Sequence, residues 1–330
     1  MTTTIRPAGL HDLESIADLL LDDAKTREAA NPVLWKLDRG PRKRILEAVR
    51  ASMEAGEQRW LVGETGENIV GVTHAMRVPV PPIYDGEFGS PGLIMEDCFV
   101  SADAQPSDRT VLLQAAEADL VQSGARMVIG TSATGGDWEE EYARQGYDPV
   151  TLYFAKTELS DATALPHVRR ADVDDLADIV AASAVNRQIL QHLNPSFWRP
   201  HAEANDRFGS WMQHSLSLSD RDMFVSHADG EFLGYAISQP ATRLHFPSPH
   251  DISGTGVIDD YFHQTIADPV RPSSHWADGL ALLEAAEATR QSRGNTAILV
   301  VCPAAWRSKI ALLEEAGYRK AITWFVKIVS

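Results

Sequence analysis

Long apolar runs, cysteine and positive charge are what this chain has least of. No apolar stretch approaches the ~18 residues of a membrane span, and the opening Met1-Thr2-Thr3-Thr4-Ile5-Arg6 lacks a signal-peptide core. A cytoplasmic protein that does not touch a membrane is expected. The two cysteines, Cys98 and Cys302, suggest neither a disulfide framework nor a metal site. His74, His245, His250 and His263 show no metal-ligand spacing. There is no Gly-x-Ser-x-Gly elbow, Walker loop or dinucleotide fingerprint. Lys and Arg number 30 against 46 Asp and Glu, a formal net charge of −16. That balance argues against a nucleic-acid partner and mildly favours a cationic one, with solubility as its plainest reading.

What the chain does have is a long repeat. Asn31-Pro32-Val33-Leu34-Trp35-Lys36 returns as Asn194-Pro195-Ser196-Phe197-Trp198-Arg199, an offset of 163. The same offset carries Arg6 to Arg169, Asp12-Leu13 to Asp175-Leu176, Gly71 to Gly234 and Asp97-Cys98-Phe99 to Asp260-Tyr261-Phe262. It widens to 170 at Leu112–Ala118 and Leu282–Ala288, then to 171 at Gly146-Tyr147 and Gly317-Tyr318, and at Lys156 and Lys327. Short repeats would mean a solenoid; a period near 163 in 330 residues means a duplicated domain, each copy large enough for its own core. The expected division is 1–157, a polar linker at 158–166, and 167–330.

Each repeat reads as β-α-α-β-β-β-α-β-α-β, a mixed α/β domain. In the first, 3–7 is a strand, and Leu13, Ile16, Leu19 and Leu20 mark a helix over 11–21. A second helix over 41–55 starts on Pro41 and stops at Gly56. Strands over 60–63 and 69–76 form a hairpin, and a Pro-rich loop over 78–84 leads to a continuous strand over 93–100. A helix over 108–123, a strand over 127–131, a helix over 137–145 and a strand over 147–156 complete the unit.

This order resembles the GNAT (Gcn5-related N-acetyltransferase) family. Ile5-Arg6-Pro7-Ala8 with Asp12-Leu13, and Val168-Arg169-Arg170-Ala171 with Asp175-Leu176, resemble the family's first strand and helix. Tyr142-Ala143-Arg144-Gln145-Gly146-Tyr147 and Leu313-Glu314-Glu315-Ala316-Gly317-Tyr318 resemble its last helix running into the final strand. The resemblance implies two tandem acyl-CoA N-acyltransferase domains, each with a V-shaped opening between its fourth and fifth strands. Acetyl-CoA or another acyl-CoA would be the co-substrate, with a small-molecule amine as acceptor. Pantetheine would lie along the fourth strand on main-chain hydrogen bonds, here those of Phe99 and Val100. Pyrophosphate would sit on the N-terminus of the next helix.

The family's glycine-rich phosphate loop is missing from both copies. The first has Gln105, Ser107, Asp108, Arg109 and Thr110, with Asp108 repelling an anion and Arg109 attracting one. The second has either His275-Trp276-Ala277-Asp278 or, matched on its Pro-Ser pair, Arg271, Ser273, Ser274 and His275. Both segments also read as plain helix caps.

The resemblance makes Tyr142, four residues before Gly146, the proton donor to the departing thiolate; its counterpart Leu313 cannot donate. The base would be a fourth-strand carboxylate: Glu96 rather than Asp97, with Asp259 and Asp260 as counterparts. Adjacent strand residues face opposite sides, so one of each pair is expected to face the substrate. The first half is thus expected to carry the chemistry and the second to be degenerate. The other reading is a catalytically silent protein that binds acyl-CoA or a metabolite. The Asn-Pro-x-x-Trp turns either line the acceptor pocket, touch the other repeat, or bury an indole in a core. A monomer is the default expectation, since a tandem repeat imitates a dimer, with a dimer as the alternative.

Overall fold

The computed structural model describes residues 3–159, 167–271 and 276–329. In chain order the first half contains β1 (Thr4–Pro7), α1 (Leu13–Ala30), α2 (Pro41–Ala55), β2 (Gln58–Thr65), β3 (Asn68–Arg77), β4 (Gly92–Ile94), β5 (Phe99–Val100), α3 (Pro106–Gln122), β6 (Met127–Ala133), α4 (Trp138–Arg144) and β7 (Asp148–Lys156). The second contains β8 (Val168–Arg170), α5 (Leu176–Leu193), α6 (Ala204–Ser215), β9 (Asp222–Ala228), β10 (Glu231–Pro240), β11 (Thr255–His263), α7 (Ala277–Ser292), β12 (Ala297–Pro303), α8 (Arg307–Glu315) and β13 (Arg319–Ile328).

Several repeated residues now have a physical reason. Arg6 grips Asp12 through two nitrogens at 2.7 and 2.9 Å, and Arg169 grips Asp175 at 2.7 Å through both. Each aspartate also accepts a backbone N–H three residues upstream, from Gly9 or Asp172, so the pair fixes the entry to the first helix of its half. Gly71 and Gly234 sit where the third strand meets the fourth: a Cβ on Gly71 would lie 2.6 Å from Leu112, and one on Gly234 would strike the Phe262 carbonyl.

The halves are interlocked. The sheet runs β1-β2-β3-β4-β6-β13-β7-β12-β11-β10-β9-β8, with β5 on β3. Thus β7, the last strand of the first half, leaves β6 and pairs antiparallel with β12. β13 in turn crosses to pair antiparallel with β6, and the two exchanged strands pair with each other. The exchange explains two further repeats. Lys327 of β13 reaches Glu117 on α3 at 2.9 Å, and Lys156 of β7 reaches Glu287 on α7 at 2.8 Å, each lysine serving the other half.

A second exchange lies in the loops. The stretch after α1 forms a bridge, Leu37 to His250, with the second half's long loop, and Tyr84 in the first half's long loop bridges Pro200. Trp35 is buried at 5% exposure, its ring 5.1 Å from that of Phe246; Trp198 lies 5.4 Å from Tyr84. Both indoles therefore pack on the other repeat; Trp35 is buried there, whereas Trp198 is half-buried.

The expected continuous strand over 93–100 is in two pieces. Between β4 and β5 the Arg27 guanidinium takes the Glu96 carbonyl at 2.7 Å, and the His74 N–H goes to the Cys98 sulfur at 3.3 Å, so ladder bonds are diverted to side chains. Its counterpart β11 is unbroken. Among the described residues no helix is long and apolar enough to cross a membrane.

Candidate functional site

In the first half Glu96 is buried and bound to Arg27, whose Nη1 meets Oε2 at 2.7 Å while its Nε meets Asp23 at 2.9 Å. Burial pushes the Glu96 carboxyl up to about 7 against the pull of Arg27. Asp97 Oδ1 accepts from His74 Nδ1 at 2.6 Å; the other ring nitrogen meets Gln58 at 2.9 Å, and Trp60 stacks on the imidazole at 3.9 Å. Glu96, Asp97, His74 and Gln58 line a 550 Å³ cleft whose far wall is Arg243, Phe246 and Pro247 of the second half.

Tyr142 is wholly buried against Gly130, where any Cβ would collide with its ring, and Phe325 from the exchanged β13 stacks on it at 5.2 Å. Its hydroxyl has no partner among the described residues, and burial holds its pKa well above the usual phenol value. It lines neither the 550 Å³ cleft nor the larger cavity between the halves.

The first half's cofactor residues form a closed cap. Gln105 N–H donates to Asp108 Oδ2 at 2.8 Å, placing a buried carboxylate at the N-terminus of α3. Such a charge suits the helix dipole and opposes a phosphate. Arg109 is bound to Asp137 at 2.5 Å and lies over the Trp138 ring. Ser107 is exposed and Thr110 half-buried. Phe99 and Val100 pair with Val72 and Gly71. Just before them, the Cys98 carbonyl accepts the Trp138 indole N–H at 3.0 Å.

The second half repeats this closure with different chemistry. Lys309, the repeat counterpart of Trp138, donates through Nζ at 2.8 Å to the carbonyl of Tyr261, the repeat counterpart of Cys98. The ammonium is buried at 4% exposure, over the rings of Tyr261 and Trp306, and burial lowers its pKa. Beside it Trp306 Nε1 donates to the Ile266 carbonyl at 2.8 Å. Of the expected phosphate residues, Arg271 is exposed, its N–H donating to Asp268 Oδ1 at 3.2 Å. Ser273, Ser274 and His275 lie outside the described residues.

Between the halves lies a 760 Å³ cavity, within the size range of small-ligand sites. Its floor carries both Asp259 and Asp260, where strand alternation was expected to show only one. The reason is a bulge: Ile237 pairs with Asp260 and Ser238 with Ile258, so Asp259 is the extra residue, and neighbours across a bulge need not face opposite ways. Asp260 accepts from Tyr235 OH at 2.9 Å and Asn186 Nδ2 at 3.1 Å. Asp259 accepts from Gln239 Nε2 at 2.6 Å, and burial, with Asp260 alongside, raises its carboxyl to about 7. Both aspartates are half-buried and line the cavity. The walls come from both halves: Val80, Ile83, Tyr84 and Phe88 from the first half's loop, Trp198, Phe208 and Trp211 from the second, and Tyr153 and Trp324 from the exchanged strands.

Sequence reading missed Arg27, Trp138, Lys309 and the bulge. Trp138 and Lys309 stand at one repeat position, eight residues before Gly146 and Gly317, so alignment could have shown a large polar-tipped side chain there twice. That these tips reach a fourth-strand carbonyl is visible only in three dimensions.

No protein-family model matches the sequence, and no curated protein matches it. Solved structures do. A GCN5-related N-acetyltransferase from Sphaerobacter thermophilus is 15% identical, with 98% of this chain and 95% of that one covered and a TM-score of 0.57. A tandem GNAT protein from the clavulanic acid biosynthesis pathway is 11% identical over 99% of this chain and 98% of that one, TM-score 0.49. A predicted acetyltransferase with acetyl-CoA from Clostridium acetobutylicum is 10% identical, covering 49% of this chain and 96% of its own, TM-score 0.38. Taken with the element order found twice in one sheet, the first of these shows that the chain has the GNAT acetyltransferase fold, as two domains in tandem.

Proposed function

We propose that this protein binds a small molecule on a tandem GNAT scaffold and does not transfer acyl groups from acyl-CoA. One observation carries the reading. In both halves a fourth-strand carbonyl, of the kind a pantetheine amide would use, is already bonded by the protein's own donor, Trp138 on Cys98 and Lys309 on Tyr261. Both donors are buried, so displacing them would strand polar groups or vacate packed volume. The first half's phosphate position supports the same reading, with Asp108 at the helix terminus and Arg109 held by Asp137. A ligand would instead occupy the cavity above Asp259 and Asp260.

The competing reading, acyl transfer to an amine, has one observation in its favour. Asp259, titrating near 7 beside a cavity, suits a base that takes a proton from an ammonium. Release of free CoA thiol separates the two. The wild-type chain incubated with acetyl-CoA and a panel of primary amines should release none above the uncatalysed rate. Amine-dependent release that is lost in Asp259→Asn would replace the binding reading with an acyltransferase working in the second half.

A further inference from the structure

We infer that the cavity takes an amine with an extended apolar body, its ammonium seated on Asp259 and its body among the aromatic rings of both halves. The inference rests on reading this cavity as the ligand site, and the repeat supplies an internal control for the charge. At this point of the first half the carboxylate, Glu96, carries its own cation, Arg27. The repeat counterpart of Arg27 is Leu190, which lines the cavity. The second half therefore has the acid without the guanidinium.

The other charged groups around the cavity do not fill that role. Arg187 donates to Ser183 Oγ and Asn205 Oδ1, both at 2.6 Å, and Lys309 to the Tyr261 carbonyl. These two cations offset Asp260, which also has hydrogen bonds from Tyr235 and Asn186. Arg221 attracts Asp259 without forming an ion pair with it: its guanidinium lies over the Trp211 ring and donates to Ser215. Arg199 and Glu87 pair with each other at 2.8 Å on the wall. Asp259 is left with an amide, Gln239, as its hydrogen-bond partner. A half-buried carboxylate with no ion-paired cation among the described residues is costly unless a ligand brings one. An ammonium satisfies the acid, while the rings of Tyr84, Trp198, Phe208, Trp211 and Tyr153 receive an apolar body and favour a cation near their faces.

The test is a titration of the full chain with decylamine, decanol and decanoate, each below its micelle concentration, followed by tryptophan fluorescence and calorimetry. Trp198, Trp211 and Trp324 line the cavity and act as reporters. Decylamine should bind one site, roughly tenfold or more tighter than decanol, as one charge-assisted hydrogen bond gives, and decanoate should bind least. Asp259→Asn, which can still accept from Gln239, should bring decylamine down to the decanol affinity while leaving decanol unchanged. The proposal is overturned if the three chains bind alike, if none binds, or if Asp259→Asn keeps the preference for the amine. Acetyl-CoA turnover would defeat the silent-scaffold reading without touching this result, so the two failures are distinct.

Discussion

Glu96 and Asp259 occupy the same strand position in the two copies of the repeat, and their surroundings are opposite. Around Glu96 the first half has Arg27, Asp23, His74 and Gln58, a polar cluster in which Glu96 Oε2 has its cation while Oε1 has no partner among the described residues. The corresponding residues around Asp259 are Leu190, Asn186, Ile237 and Arg221, and the space is a cavity lined by rings. Even the backbone follows: in the first half ladder bonds are surrendered to Arg27 and Cys98, whereas the second keeps its strand and inserts a bulge at Asp259. In this duplicated fold one copy of the cleft beside the fourth strand is thus taken up by internal ion pairing and the other is left open. The difference teaches that the same strand position can carry an ion-paired carboxylate in one copy and a carboxylate without an ion pair among the described residues in the other.

The comparison can be broken deliberately. The largest effect is expected from Arg27→Leu, which copies the second half into the first. With the buried Glu96 and the half-buried Asp23 left without their cation, it should cost roughly 3–5 kcal/mol by denaturant titration. A loss under about 1 kcal/mol would mean that the acids were never neutralised by Arg27.

Next come the paired indoles. Trp35→Ala empties a buried site and should cost roughly 3–5 kcal/mol. Trp198→Ala, at a half-buried site on the cavity wall, should cost about 2 kcal/mol less and weaken decylamine binding instead. Equal losses in the two variants would remove the distinction between a sealed turn and an open one.

Asp259→Asn gives a pH-dependent effect whose sign follows from linkage. The folded-state carboxyl is raised to about 7 from an unfolded value near 3.9, so the folded chain holds the proton longer. The contribution of Asp259 to stability is therefore lost as pH rises from about 4 through 7, and its penalty is complete above 7. The variant should be more stable than wild type at pH 8 by ~1–2 kcal/mol and nearly equal to it at pH 4, read as melting temperatures at both values. A gain as large at pH 4 as at pH 8 would contradict the ionised, enclosed state.

The smallest effect concerns the exchanged strands. Lys327→Met removes a partly exposed ion pair to Glu117 and should cost under ~1 kcal/mol. Lys156→Met leaves the buried Glu287, among the described residues, with the Tyr318 hydroxyl as its side-chain partner and should cost more. The order of the two, by thermal denaturation, checks that each lysine serves the opposite half.

Much of this architecture was legible in the sequence because the repeat is a record of contacts. Arg6 with Asp12, the Asn-Pro-x-x-Trp turns and the closing Gly-Tyr pairs each return because each makes the same local bond in both copies. The fold class followed from that order. What could not be read was which copy a strand joins. Lys156 and Lys327 sit at equivalent points of the chain whether or not β7 and β13 cross over, since exchange changes partners without changing sequence. The site was less legible still. Tyr142 and Glu96 stand where a donor and a base were expected, yet their environment depends on residues far off in the chain: Phe325 on the exchanged β13 and Arg27 on α1. The bulge at Asp259 likewise arises from pairing, not from any residue type that announces it.

The measurement that bears most directly on the central claim is calorimetric titration of acetyl-CoA into the wild-type chain. With Trp138 on the Cys98 carbonyl and Lys309 on that of Tyr261, no saturable heat is expected at either half. One equivalent of acetyl-CoA bound at micromolar affinity would show that at least one of these clefts opens, and would contradict the account of a self-occupied scaffold.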